Sequence, residues 1–407
     1  VDVINLDMER ELPLKKILEH FNYVPNIVLL TAMITGYNEL RHQSSVIREF
    51  WSSPLIVAGG GLASTAPDAI LKKLEVDVFV QNEGDEIIKH LLETYTQNES
   101  FKKIRGLKLK EKQGNIYYTG AGPPPDISVI PRPSYELFSV EQYIDFLHRS
   151  GRSFEIYSSK GCPFACGYCY KISGEKVRYR CVDNVIAEMQ YIAEKYSIRR
   201  FSFEDDCFAI NKQWLDEFCE KIKEMNFLFR FQASVNTLKK TALDKLLSVG
   251  LVGMSMGLES GSPLIQRELN KNIDLNKAED SIRWCKANGV KYNATFVLGS
   301  FSENPETVEM TKNFLFRNGF KDNFQLFFLT PYPGTALYRE AMRRGFINDE
   351  VDYIENKLNF LDTISINLTN YSTSDLIEWY QDIICSVRGI SIDSDMSACT
   401  WKACSNG

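Results

Sequence analysis

Three cysteines, Cys162, Cys166 and Cys169, fall within eight positions of the stretch "SSKGCPFACGYCY" (residues 158–170). Spacings of three and two intervening residues put the thiolates on one tight loop, able to converge on a single centre. Three chemistries are open to such a set. A structural zinc site takes four closed ligands, often as two separated pairs. Its fourth ligand here would have to be Cys181, Cys207 or a more distant cysteine, none of them in a matching pair. A disulfide framework would leave an odd cysteine and suits small secreted domains. A [4Fe–4S] cluster on three thiolates leaves one iron open to another ligand, with ligation, hydrogen bonding and burial as the protein's levers, and it is the best chemical match.

The elements around the cysteines give that loop a position. "SFEIYSSKGC" reads as a strand running into it, so the cysteines stand at the carboxyl end of a strand, the end that carries the chemistry in α/β barrels. Helical runs at 182–196 and 211–225 then alternate with strands at 199–206, 228–235, 251–260, 290–300 and 322–338. Six strands with helical crossovers predict a partial (β/α)6 barrel, of the TIM-barrel type but not a closed ring of eight. Polar residues collect at the strand ends: Glu204, Asp205 and Asp206, then Ser234 and Asn236, then Glu259. Capping and turn formation compete with a functional role for each of them.

The first 119 residues read as a second α/β region. Strands at 1–8, 25–33, 54–60 and 76–81 alternate with helices at 12–21, 37–50, 67–75 and 84–95, and near-continuous Val/Ile/Leu strands predict a doubly wound, Rossmann-like parallel sheet. Ligands of such sheets sit at the carboxyl ends of the strands, where Thr31, Thr35, Gly59, Gly60, Gly61, Ser64, Glu83 and Gly84 stand. Five prolines in 120–138 mark a linker, assigned 120–150; the barrel follows at 151–340, then a C-terminal segment at 341–407 without a motif. Cys399 and Cys404 lie in its polar end, open to a flexible terminus, a disulfide or ligands over an active site.

Composition narrows the function classes. A chain of 407 residues with 44% hydrophobic and 25% charged residues fits a globular protein of more than one domain. The formal charge of −6 and the lack of a basic stripe argue against nucleic acid, and no apolar run reaches membrane-spanning length. Ten clustered cysteines in so long a chain argue for metal or redox use in a reducing, cytoplasmic compartment, although the chain starts at Val1 and a lost leader stays open.

Cys162-x3-Cys166-x2-Cys169 with Tyr168 before the last cysteine resembles the radical SAM signature, and zinc remains the competing reading because sulfur ligands suit both. "LIVAGGGLASTAPDAIL" followed by "VDVFVQNEGDEIIKHLL" resembles the second half of the cobalamin-binding domain at the front of many radical SAM enzymes, apparently lacking the first strand. The resemblance implies a [4Fe–4S] cluster whose open iron chelates S-adenosylmethionine (SAM) and an electron that cleaves it to methionine and a 5′-deoxyadenosyl radical. An electron donor such as flavodoxin or ferredoxin is implied, with a small-molecule or peptide substrate. With cobalamin the implied reaction is methylation of an unactivated carbon. Without it, oxidation, rearrangement or ring formation is implied, and a non-catalytic zinc-stabilised module is the reading from outside enzymology.

Carried onto this sequence, the resemblance makes Tyr168, Asp205, Asp206, Ser234, Glu259 (in "MGLESG") and Val297 the SAM-binding set. Thr31, Gly59, Gly60, Ser64, Glu83 and Gly84 become the cobalamin set. The family's axial-histidine segment is absent: His20, His42, His90 and His148 stand in other contexts, and Leu62 occupies a position often histidine. "VLGSFSENPET" resembles the family's adenosine segment, with Phe301 and Ser302 in place of proline-glycine.

Overall fold

The computed structural model describes residues 2–4, 6, 13–138, 140–208, 210–359 and 363–390. Contacts divide these into two units: the described parts of 1–126 with 170–173 and 330–359, and 127–169 with 174–329 and 363–390. Among the described residues no helix is long and apolar enough to cross a membrane. Cys399 and Cys404 lie outside the described residues.

In the first unit, strands β1 (Ile27–Thr31), β2 (Leu55–Gly59) and β3 (Val78–Val80) pair in parallel, and β4 (Leu107–Lys110) and β5 (Ile116–Tyr118) extend the sheet antiparallel. Strand β2 lies between β1 and β3, and its Ile56, Val57 and Ala58 are all sealed, which suits an apolar run covered on both faces. The antiparallel pair corrects the expected all-parallel sheet. Its strands are short and rich in lysine, tyrosine and a tight turn at Gly114 (φ +77°), so no apolar run announced them. The expected strand at 1–8 is also corrected: Asp2–Ile4 have no strand pairing, and most of the remainder is outside the described residues.

In the second unit, β6 (Phe154–Ile156) is followed by β7 (Ser159–Lys160) and β8 (Arg178–Tyr179), which pair only with each other. Strands β9 (Arg200–Phe203), β10 (Leu228–Ala233), β11 (Leu251–Glu259), β12 (Lys291–Leu298) and β13 (Phe324–Phe328) complete a parallel sheet in the order β13-β12-β11-β10-β9-β6. One face is packed by aromatic side chains that alternate along the strands. Phe203 and Phe231 flank Phe208 at 4.8 Å between ring centroids, and Phe218 of the helix Lys212–Ile222 stacks on Trp214 at 5.3 Å. The helix Thr373–Arg388, begun by a Ser372–Asp375 capping box and ended by Gly389 at φ +71°, packs on the β13 side. There Tyr380 stacks on Phe328 at 4.8 Å.

A buried ion pair ties the cysteine segment to this core. Arg180, 1% exposed, donates to the Tyr157 carbonyl (3.0 Å), and its Nη1 lies 2.6 Å from Glu188, whose other oxygen accepts from Tyr135. Removing one partner strands the other charge, so Glu188→Ala should cost about 3–5 kcal/mol, whereas the double apolar replacement Arg180→Met/Glu188→Leu should cost far less. Chemical denaturation of the three proteins checks the pattern, and equal losses would refute it.

Candidate active site

The cysteine loop is built from its base upward. The strand expected to run unbroken into Cys162 instead breaks after β6, and β7 turns to pair with β8, registering Ser159 with Tyr179 and Lys160 with Arg178. That pairing pins both feet of the loop. Cys162 N–H donates to the Gly174 carbonyl (3.2 Å), and Cys169 N–H to the Cys166 carbonyl (3.3 Å). Gly161 sits at φ +95°, a conformation that favours glycine, immediately before the first cysteine.

Asp205 and Asp206 anchor that base. Asp205, 2% exposed, accepts Ser158 N–H (2.7 Å) on one oxygen and the Ser158 and Ser159 hydroxyls (2.5 and 2.6 Å) on the other. Burial pushes its carboxyl up, against those hydrogen bonds. With both oxygens committed, Asp205 is a clamp on the cysteine strand and has little left for a ligand. Asp206 accepts Gly161 N–H at 2.8 Å and is exposed.

The crown of the loop is held by a segment that the sequence did not flag. Leu269 carbonyl accepts from Gly167 N–H (2.8 Å), Asn270 Nδ2 donates to the Ala165 carbonyl (2.7 Å), and Lys271 Nζ lies 3.3 Å from the Tyr168 hydroxyl and 2.9 Å from Glu259 Oε1. Burial alone would depress Lys271; Glu259 and the thiols of Cys166 and Cys169 outweigh it and raise the ammonium. Asn236 positions this segment from below, donating to the Asn272 carbonyl (2.9 Å) and accepting from Asp274 N–H (3.1 Å). The available signal was "NKN": Asn270 and Asn272 both take positive φ, +50° and +49°, which asparagine tolerates, and they present the lysine between them.

Glu259 is itself in the left-handed region (φ +63°), where β11 slips register against β12. Such strain in a non-glycine residue costs of order 1–3 kcal/mol and clusters at functional sites. Gly257 makes room for the pair, because a Cβ there would stand 2.6 Å from Glu259 Oε1 and 2.9 Å from Lys271 Nζ. Ser234 closes a turn through its carbonyl, which accepts from Thr237 N–H (3.0 Å) and hydroxyl (2.8 Å). Val297 lies on β12 two residues before Gly299, and Cys207 is buried, its thiol raised by burial.

Glu303 holds the turn after β12, accepting Gly299 N–H (3.2 Å) and the Thr307 hydroxyl (2.6 Å). Burial pushes its carboxyl up to about 7. A raised carboxyl pKa means the folded state binds the proton more tightly than the unfolded chain. Its stabilising effect is therefore full at low pH and lost as pH rises towards 7. Between about pH 5 and pH 8 wild type should lose about 2.5 kcal/mol more stability than Glu303→Gln, read from urea midpoints of the apoprotein. Parallel pH profiles would refute this.

In the first unit the strand-end residues also gather. Gly60 stands at φ +82°, where a Cβ would lie 2.6 Å from Ala32 O and 2.8 Å from Thr31 Oγ1. The expected helix at 67–75 is only Asp68–Leu71, and the glycine run opens a separate short helix, Gly60–Thr65. Ser64 donates to the Gly60 carbonyl (2.9 Å) and accepts from Asn82 N–H (2.8 Å), so β2 and β3 ends are tied together next to Glu83 and Gly84. Gly84 caps the helix Asp85–Thr96. Lys108, reaching from β4 to the Ser64 carbonyl (3.3 Å), is pushed down to about 8 by burial.

Does the donor set suit an iron–sulfur cluster? Among the described residues no three His, Cys, Asp or Glu side chains close around one ion-sized point. A four-iron cluster spaces its thiolates more widely than a single zinc ion does. Cys169 is pushed up to about 11, first by desolvation and then by Cys166 and Cys162, so the thiols already feel one another. A loop pinned at base and crown, with three cysteines within eight positions and a lysine beside them, fits the cluster.

An α/β unit with a parallel sheet and a three-cysteine loop after its first strand is the arrangement expected of a radical SAM domain. Residues 156–315 match the Radical SAM superfamily, one that works with a [4Fe–4S] cluster and SAM. The chain is 28% identical over 341 residues to an uncharacterized methyltransferase of Pyrococcus horikoshii, covering 82% of this chain and 72% of that one. An anaerobic magnesium-protoporphyrin IX monomethyl ester cyclase of Rubrivivax gelatinosus is 24% identical over 378 residues, 89% of this chain and 66% of the relative. Among solved structures, the radical SAM methyltransferase TsrM of Kitasatospora setae, with cobalamin and a [4Fe–4S] cluster bound, superposes with a TM-score of 0.74 at 19% identity, covering 84% of this chain and 72% of that chain.

Proposed function

We propose that this protein is a cobalamin-dependent radical SAM methyltransferase acting on an unactivated carbon, with a Rossmann-like cobalamin-binding unit and a partial (β/α)6 barrel. The observation that carries the reading is the doubly pinned cysteine loop. Cys162, Cys166 and Cys169 would hold the cluster. Tyr168, Asp206, Ser234, Glu259 and Val297 would bind SAM, with Asp205 keeping the loop's base in place. When bound, the cluster supplies the electron that cleaves SAM to methionine and a 5′-deoxyadenosyl radical. The chain's own work is to hold the thiols, fix the turn at Gly299 through Glu303 and keep a counter-charge, Lys271, inside a buried pair.

The first unit would hold cobalamin at Thr31, Gly59, Gly60, Ser64, Glu83 and Gly84. What supports this is the close approach of Gly60 to the Ala32 carbonyl and the Thr31 hydroxyl, which no side chain would permit, and the Ser64–Asn82 tie that brings two strand ends together. No histidine is offered from these strand ends: among the described residues His20 bonds to Lys16 in its own segment, and His148 to the Tyr196 carbonyl. Binding without a protein axial ligand is therefore proposed. A second reading is cobalamin-independent oxidation, rearrangement or ring formation; the cyclase relative bears on the ring formation alone.

Anaerobic reconstitution distinguishes them. Iron–sulfur absorption with 5′-deoxyadenosine on reduction is expected in both, and corrinoid bands with methyl transfer from labelled SAM only in the first. A colourless protein with stoichiometric zinc would overturn both.

A further inference from the structure

The six-stranded sheet has two unlike faces. Phe231, Met256 and Phe296 pack one face against helices. On the opposite face the register sets Gln232 beside Ser255 and Ser255 beside Asn293; one step nearer the carboxyl ends, Thr295 stands beside Gln325. Side chains two apart share a face, so these five residues form a continuous strip over four strands, about 14 Å across. Gln232 is exposed and the other four are half-exposed. None of the five side chains holds a hydrogen bond with another described residue.

This lack of protein partners is local. Nearer the amino ends of the strands, the same face is internally satisfied: Ser202 donates to Glu204 (2.5 Å) and Arg230 to Ser202 (3.1 Å). The strip without protein partners instead runs up to Gly257, the residue whose missing side chain leaves room for Glu259 and Lys271, with Thr295 Oγ1 3.7 Å from where a Cβ would be. Three amides and two hydroxyls, uncharged and able both to donate and to accept, lie next to the proposed SAM-binding residues.

We propose that this strip is the substrate-binding surface and that the substrate is a compact hydroxyl- or amide-bearing molecule recognised through hydrogen bonds. The proposal rests on the radical SAM reading above. An apolar macrocycle laid here would desolvate five polar side chains and satisfy none of them, and a site built to hydrogen-bond its substrate discriminates strongly against a molecule that lacks those groups.

The test uses the reconstituted protein with SAM, and ligand-observed NMR with a panel of free amino acids, nucleosides and monosaccharides, plus protoporphyrin IX as the apolar probe. At least one polar compound should bind at about 1 mM or better, with affinity falling at least about tenfold in Asn293→Leu and in Thr295→Val. Circular dichroism confirms that each variant folds. The panel's classes separate amide from hydroxyl sources. The proposal is overturned if no polar compound binds at that concentration, or if polar binding or protoporphyrin binding survives both substitutions unchanged. Deoxyadenosine formation by wild type without any probe reports the radical SAM reading alone, so the failure of one is distinguishable from the failure of the other.

Discussion

Replacing Cys166 with alanine is expected to strip the reconstituted protein of its visible absorption and to lower reductive SAM cleavage by at least about 10³-fold, more than 4 kcal/mol of barrier. The size follows from the loop's construction. Cys166 is the middle one of the three proposed ligands: its own carbonyl accepts from Cys169 N–H, and its neighbours Ala165 and Gly167 are the two points where the 269–270 segment grips the crown. Alanine keeps both backbone contacts, so the loop should keep its shape while losing a thiolate. Cys219→Ala is the matched control. That thiol is 2% exposed within the helix Lys212–Ile222 and packs as a small hydrophobe in the core. It should cost modest stability and leave iron content and SAM cleavage in place. Iron and acid-labile sulfide analysis with deoxyadenosine assay reads both proteins, and a Cys166→Ala protein that keeps a full cluster would refute the assignment.

The buried strands and the cysteine loop were the legible part of this molecule. Buried parallel strands leave apolar runs such as "LIVAGG", and cysteine spacing is a local property, so both can be read in one dimension. The antiparallel strands β4 and β5 left no such run, because one face of a short edge pair carries lysine and tyrosine. The role of Asp205 was hidden for another reason. Two adjacent acids at a strand end look alike in sequence, but only Asp205 points back onto Ser158 and Ser159, while Asp206 caps Gly161. Lys271 was missed because it reaches the loop across about a hundred residues of chain, and long-range pairing of this kind has no periodic signature. The strained backbone at Glu259 is the opposite case: "LES" gave the residue, and only the structure gave the reason it must tolerate φ +63°.

Lys271 carries the second large expectation. Its ammonium pairs with Glu259 at 2.9 Å and is raised partly by the thiols of Cys166 and Cys169, so it contributes positive charge where the proposed cluster would gather negative charge. Lys271→Met keeps most of the volume and removes that charge. At an effective dielectric of about 20, a unit charge roughly 8–16 Å away is worth about 1–2 kcal/mol. For a one-electron couple this corresponds to roughly 40–90 mV, with about tenfold in equilibrium constant for each 59 mV. The variant's cluster should therefore be harder to reduce by roughly that amount, and SAM cleavage under a weak reductant should fall about five- to thirtyfold while a strong reductant restores much of it. Lys271→Arg, which keeps the charge, should hold the potential within roughly 20 mV of wild type. A merely structural role for Lys271 would lower cluster content in both variants without moving the potential of the clusters that remain. Spectroelectrochemical titration of the three proteins separates the two, and an unchanged potential in Lys271→Met would refute the electrostatic role.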